Sequence, residues 1–167
     1  MNRRMRHLVR SAMMITFAST LWMACPSVSG AYQMSGIGGK MGFTSPDGLD
    51  GTVTVAGQLE FQNNTRVHLV PNLAYWKVDQ VSDVNPNMDV YYHFEPESRT
   101  SPYLGGGVGL DVRNSEIPDR SGTSVNANLI GGVRFPSGPN HYFVEGRYTA
   151  SDESRLALVG GMTFWPH

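Results

Sequence analysis

The chain has 167 residues, with 13 Lys+Arg against 14 Asp+Glu and a single cysteine. That length fits one domain; a lone cysteine excludes a disulfide framework and a thiolate metal site; and the acidic balance, −5 once residues 1–31 are set aside, argues against a nucleic-acid binder, which needs Lys/Arg to neutralise phosphates. Four of the thirteen bases (Arg3, Arg4, Arg6, Arg10) and Cys25 fall within residues 1–31, so residues 32–167 hold nine bases, all 14 acids and no cysteine.

The basic start, an apolar run from Ser11 to Ala24 and small residues through Ala31 have the layout of a signal peptide. The run is shorter than the roughly 20 residues a helix needs to cross a bilayer. Cleavage after Ala31 is therefore expected, with Ser29 and Ala31 supplying the small side chains a signal peptidase requires. Cys25 makes a poor lipoprotein box because Trp22 is bulky, and Arg3-Arg4 matches a twin-arginine signal only loosely.

From Tyr32 onward, period-2 alternation bounded by turn residues predicts eight strands and no amphipathic helix. The first, residues 33–43, is laden with Gly36, Gly38, Gly39 and Gly42 and puts Lys40 on its polar side. In the second, 52–61, Val53, Val55, Leu59 and Phe61 oppose Thr52, Thr54, Gln58 and Glu60. The third, 66–78, contains Pro71, which cannot donate to a ladder and is expected at an irregularity. In the fourth, 88–95, Met88, Val90, Tyr92 and Phe94 oppose Asp89, Tyr91, His93 and Glu95. The fifth, 102–112, carries Gly105, Gly106, Gly107 and Gly109; in a narrow barrel such glycines leave room for long interior side chains from opposite walls. The sixth, 124–135, sets Val125, Ala127, Leu129, Val133 and Phe135 against Asn126, Asn128 and Arg134. The seventh, 141–149, sets Tyr142, Val144 and Tyr148 against His141, Glu145 and Arg147, and the eighth, 155–164, aligns Leu156, Leu158, Met162 and Phe164.

The intervening links are short. Residues 62–65, 96–101 and 136–140 read as tight periplasmic turns rich in Gly, Pro, Asn and Ser. Residues 44–51, 79–87, 113–123 and 150–154 read as outward links carrying Asp47, Asp50, Asp79, Asp83, Glu116, Asp119, Asp152 and Glu153, an acidic rim. An even number of strands about ten residues long suits a membrane barrel, in which every backbone group must join a closed ladder. Tyr32, Phe43, Tyr75, Trp76, Tyr103, Phe135, Tyr142, Tyr148, Phe164 and Trp165 are placed to form aromatic girdles. On the polar faces, Lys40, Glu60, His93, Glu95, Arg134, Glu145 and Arg147 are the expected lumen network, with both signs of charge present for pairing.

The segments Tyr103-Leu-Gly-Gly-Gly-Val-Gly-Leu, Leu129-Ile-Gly-Gly-Val-Arg-Phe, Val144-Glu-Gly-Arg-Tyr and Leu158-Val-Gly-Gly-Met-Thr-Phe resemble the late strands of small outer-membrane β-barrels, the OmpA/OmpX-like group. The resemblance implies an all-β, eight-stranded antiparallel up-and-down transmembrane barrel in the outer membrane of a Gram-negative bacterium, surrounded by lipid and lipopolysaccharide and inserted by the barrel-assembly machinery. That machinery favours a last strand ending in an aromatic residue, whereas here Phe164 and Trp165 are followed by Pro166 and His167.

No motif carries chemistry. His93/Glu95 and His141/Glu145 are His/carboxylate neighbours on shared strand faces, but a packed lumen pair is the simpler reading of each. Asp47-Gly-Leu-Asp50-Gly lacks the spacing of a calcium loop, and no helix start or Lys-Ser/Thr follows either glycine run, as a phosphate loop requires. The expectation is a monomeric, non-enzymatic outer-membrane barrel with an envelope or surface-interaction role and no catalytic site, metal or cofactor. A secreted or periplasmic lipocalin-like barrel for a small apolar ligand is the alternative, and requires Val53, Val55, Leu59, Val90, Phe94, Leu129 and Leu158 to point inward. A lipid-A-modifying enzyme would instead need a Ser/His pair, backed by a carboxylate, on the lipid face near the outer rim.

Overall fold

A computed structural model of the chain describes residues 32–63, 66–115 and 121–164. The expected signal peptide (1–31), Glu116, Asp119 and Trp165 lie outside the described residues. Eight strands follow in order: β1 (Gln33–Pro46), β2 (Thr52–Gln62), β3 (Val67–Val78), β4 (Val81–His93), β5 (Ser101–Ser115), β6 (Gly122–Ser137), β7 (Asn140–Ala150) and β8 (Arg155–Phe164). Each pairs antiparallel with its chain neighbour, and β8 returns to β1 from Ile37↔Phe164 to Pro46↔Arg155, closing the barrel. Closure leaves no strand edge, the condition under which a sheet can sit in hydrocarbon.

Alternation divides each strand between two surfaces. Val53, Val55, Leu59, Leu73, Val90, Leu104, Val108, Leu129, Val144, Leu156 and Leu158 are all exposed on the outside. The buried side chains are mainly polar or charged, with one apolar and aromatic cluster of Val70, Tyr91, Tyr103, Ile130 and Phe143 among them. This inversion of the soluble-protein pattern is what a lipid solvent selects.

The strands extend further than the alternation of apolar residues suggests. β4 begins at Val81, not at 88, so the expected link 79–87 contracts to a turn at 79–80, with Asp79 in the left-handed region at φ 49°. Its Asp and Asn residues resemble a loop in composition, yet Asp83, Asn85 and Asn87 occupy every second position and are buried in the lumen. Asp83 therefore leaves the acidic rim, which keeps Asp47, Asp50, Asp79, Asp152 and Glu153. Trp76 and Tyr103 are buried inside and do not belong to the girdles, because each shares its strand's lumen phase with Asn72 and Ser101 respectively.

The two mid-strand prolines interrupt pairing on one side only. Around Pro71 the β2–β3 ladder skips from Gln58↔Asn72 to Phe61↔Leu69, while β3–β4 pairing runs on through Pro71↔Met88. Pro86 likewise leaves a gap towards β5 and none towards β3. Each lacks the single N–H that would point into the broken ladder. A bulge lies at Ser35, between Met34↔Phe61 and Gly36↔Glu60.

The β5 glycines make space for the adjacent strand, not the opposite wall. Gly105, Gly107 and Gly109 pair with Tyr91, Asp89 and Asn87 of β4. A Cβ on any of the three would collide with that partner's side chain. Gly132 makes the same room for the Tyr103 ring, and Gly161 for Phe143 and Lys40.

Candidate functional site: the charged lumen

The interior is layered from the end bearing residues 32 and 164, here the terminal end, to the end bearing links 47–51, 79–80 and 151–154, the far end. Near the far end, Asp111 Oδ1 accepts from Asn85 Nδ2 (2.8 Å), Asn126 Nδ2 (2.8 Å) and Arg155 Nη2 (2.9 Å). Beside it Arg113 lies 3.5 Å from Asp83 and 2.5 Å from Glu153, with its guanidinium 5.9 Å from the centroid of the Trp76 ring. Next comes an amide layer: Asn72 donates to Asp89 (2.7 Å), Asn128 donates to Asn87 (2.9 Å), and Thr149 donates to Asn128 (2.8 Å).

The central layer is built on Glu145, whose side chain is completely buried. Lys40 Nζ (3.0 Å) and Arg147 Nη2 (3.1 Å) pair with its Oε1, while the hydroxyls of Tyr91 (3.0 Å) and Tyr103 (3.2 Å) donate to Oε2. Arg147 Nη2 also reaches Asp89 Oδ2 at 2.6 Å. Towards the terminal end, Glu60 Oε1 meets His68 Nδ1 and Arg134 Nη1, the latter at 2.9 Å. The His68 and His93 ring centroids are 4.5 Å apart, and His93 Nδ1 lies 3.3 Å from Ser101 Oγ.

Carboxylates of Glu60, Asp83, Asp89, Asp111 and Glu145 are thus matched by Lys40, Arg113, Arg134, Arg147 and Arg155. A buried charge without such a partner would be strongly unfavourable. Small spaces remain among the described residues. One of about 30 Å³ lies among Asn87, Arg147 and Arg155, and one of about 10 Å³ among Gln58, Glu60, His93 and Arg134. These have the scale of single waters rather than of solutes.

Of the residues expected in the lumen from sequence, Lys40, Glu145 and Arg147 come together in the central layer, and Glu60, His93 and Arg134 lie in the terminal one. Glu95 is the exception. β4 ends at His93, and Glu95 is exposed in the following turn, so strand phase no longer aims it inward. It does not join His93. His141 is only half-buried. Sequence reasoning missed His68, Asp83, Asp111 and Arg155; the period-2 spacing of His68/Val70/Asn72 and of Asp83/Asn85/Asn87/Asp89 was the available signal.

The two alternative chemistries fare poorly against this geometry. Val53, Val55, Leu59, Val90, Phe94, Leu129 and Leu158, which a lipocalin-like interior requires to point inward, are all exposed on the outside. His93 Nδ1 and Ser101 Oγ do lie 3.3 Å apart, but Ser101 is 0 % exposed and faces the lumen, whereas the pair expected of a lipid-A-modifying enzyme lies on the lipid face.

No family model matches the chain, and no curated protein matches it. Among solved structures it is similar to Neisserial surface protein A (NspA), with TM-score 0.64 and 13 % identity over 78 % of this chain and 95 % of that one. It is similar to the N-terminal β-barrel domain of Pseudomonas aeruginosa OprF, with TM-score 0.64 and 15 % identity over 80 % of this chain and 98 % of the other. The outer-membrane enzyme PagL is a weaker match, with TM-score 0.53 and 10 % identity over 78 % of this chain and 99 % of PagL. The described residues therefore have the fold of the small eight-stranded outer-membrane β-barrels.

Proposed function

We propose that the chain is a non-enzymatic outer-membrane β-barrel protein of a Gram-negative cell, serving the structure of the envelope. One observation carries this reading: among the described residues an apolar outer surface surrounds an interior in which five carboxylates and five Lys/Arg cations are paired, with water-sized spaces between them. Such an interior suits neither solute passage nor substrate entry. In this reading the barrel is exported by its N-terminal signal, inserted by the barrel-assembly machinery with residues 32 and 164 towards the periplasm, and packs as a monomer against lipopolysaccharide. The brief far-end links, of which 79–80 is only two residues, favour a structural role over adhesion.

Deleting the gene is expected to sensitise cells to detergent and large antibiotics, while leaving lipid A unchanged in mass. Loss of an acyl chain from lipid A on expressing the protein would overturn the reading in favour of an enzyme. Steady single-channel conductance in a planar bilayer would overturn it in favour of a pore.

A further inference from the structure

Glu60, His68 and His93 lie on three different strands, and no spacing in the sequence links them. The barrel makes them converge: one ligand-type atom from each falls within 4.8 Å of the others, and all three residues are buried. We infer that Glu60, His68 and His93 form a binding site for one divalent transition-metal ion of the zinc type, just inside the terminal mouth of the lumen.

The donor set selects the ion. Two imidazoles and one carboxylate suit zinc, cobalt, nickel or copper, whereas magnesium and calcium prefer all-oxygen shells. A tetrahedral ion about 2.0–2.1 Å from each donor needs the donors about 3.4 Å apart. Side-chain rotation would supply the remaining approach.

Three surrounding features favour occupation. The 10 Å³ void is lined by Glu60 and His93 together with Gln58, whose buried Oε1 accepts no hydrogen bond. That oxygen is available to hold a metal-bound water or to serve as a fourth donor. Ser101 engages His93 at Nδ1, fixing its ring as an outer-shell partner does and leaving Nε2 for a ligand. Entry is short, since His93 ends β4, His68 is the second residue of β3, and Glu60 lies two residues from the end of β2.

Arg134 is the competitor. Its Nη1 holds Glu60 Oε1 at 2.9 Å, and this charge must turn aside when a dication binds. Metal binding at this site is independent of the envelope role, because it depends on lumen geometry alone.

The test uses untagged protein, purified in detergent from membranes of cells expressing the full chain, with histidines labelled with ¹⁵N. Zinc titration is expected to reach one equivalent and to move the imidazole resonances of His68 and His93. His68→Ala or His93→Ala should each weaken zinc binding by at least about 100-fold, since even outer-shell losses cost 10–100-fold. Arg134→Gln should tighten it about tenfold by removing a like charge. Absence of binding, or resonance shifts confined to His141 or His167, would overturn the site. The wild-type spectra decide the matter even if a variant does not fold.

Discussion

Glu145 receives two cations and two phenols on its two oxygens, and removing it would take from Lys40 the carboxylate it pairs with at 3.0 Å. Breaking one member of a buried ion pair costs about 3–5 kcal/mol, whereas replacing the whole pair can be nearly neutral. Glu145→Gln is thus expected to lower the unfolding free energy, read from a urea titration of the barrel refolded into vesicles, by that amount, and Lys40→Met combined with Glu145→Gln should lose less than the two single losses summed. Strict additivity would show that the 3.0 Å pair contributes no coupling. Glycine gives a second residue-scale test. A Cβ at Gly107 would lie 2.5 Å from the Met88 carbonyl oxygen and 2.8 Å from the Asp89 Cα, backbone atoms that cannot move aside cheaply, whereas one at Gly57 meets nothing within 4 Å. Gly107→Ala should therefore destabilise by about 1–3 kcal/mol, and Gly57→Ala by no more than about 0.5 kcal/mol, in the same unfolding titration.

At the scale of the strand, legibility depended on which face carried the hydrophobic signal. β2 and β8 could be read almost to the residue because Val53/Val55/Leu59 and Leu156/Leu158 alternate with small or polar partners. The first half of β4 could not: Pro86 occupies an outward position and Asp83, Asn85 and Asn87 face inward, so the segment has turn composition while being fully paired to β3. Lys40, Glu60, Arg134 and Glu145 are buried within their strands, whereas Glu95 is exposed past the end of β4, and phase carries no information beyond the end of a strand. The contacts between layers, such as Lys40 with Glu145 across 105 positions, depend on how the closed ladders stagger the strands, which alternation within one strand does not encode. The outer face makes its own prediction. Arg in place of Leu129 or Val90, both exposed outward, should cost about 2–4 kcal/mol if they lie near the bilayer midplane, and less at a girdle position such as Phe43. Equal costs at all three positions would argue that this face is not in lipid.

For the molecule as a whole, closure through β8–β1 and the filling of the lumen act together. An eight-stranded barrel is just wide enough for its interior to be filled by side chains, and here ion pairs and amides fill it. Liposomes carrying the protein are accordingly expected to retain small sugars as well as empty liposomes do. Fast leakage would require the Glu145 layer to open. The most direct test of the central claim, that this is a closed barrel with its apolar face in the outer membrane, is fractionation of cells expressing the full chain, followed by electrophoresis of the membrane pellet with and without boiling. The account predicts recovery in the outer membrane, with the unboiled protein migrating as a compact, detergent-resistant species that shifts on heating. Soluble periplasmic recovery with no mobility shift would contradict it.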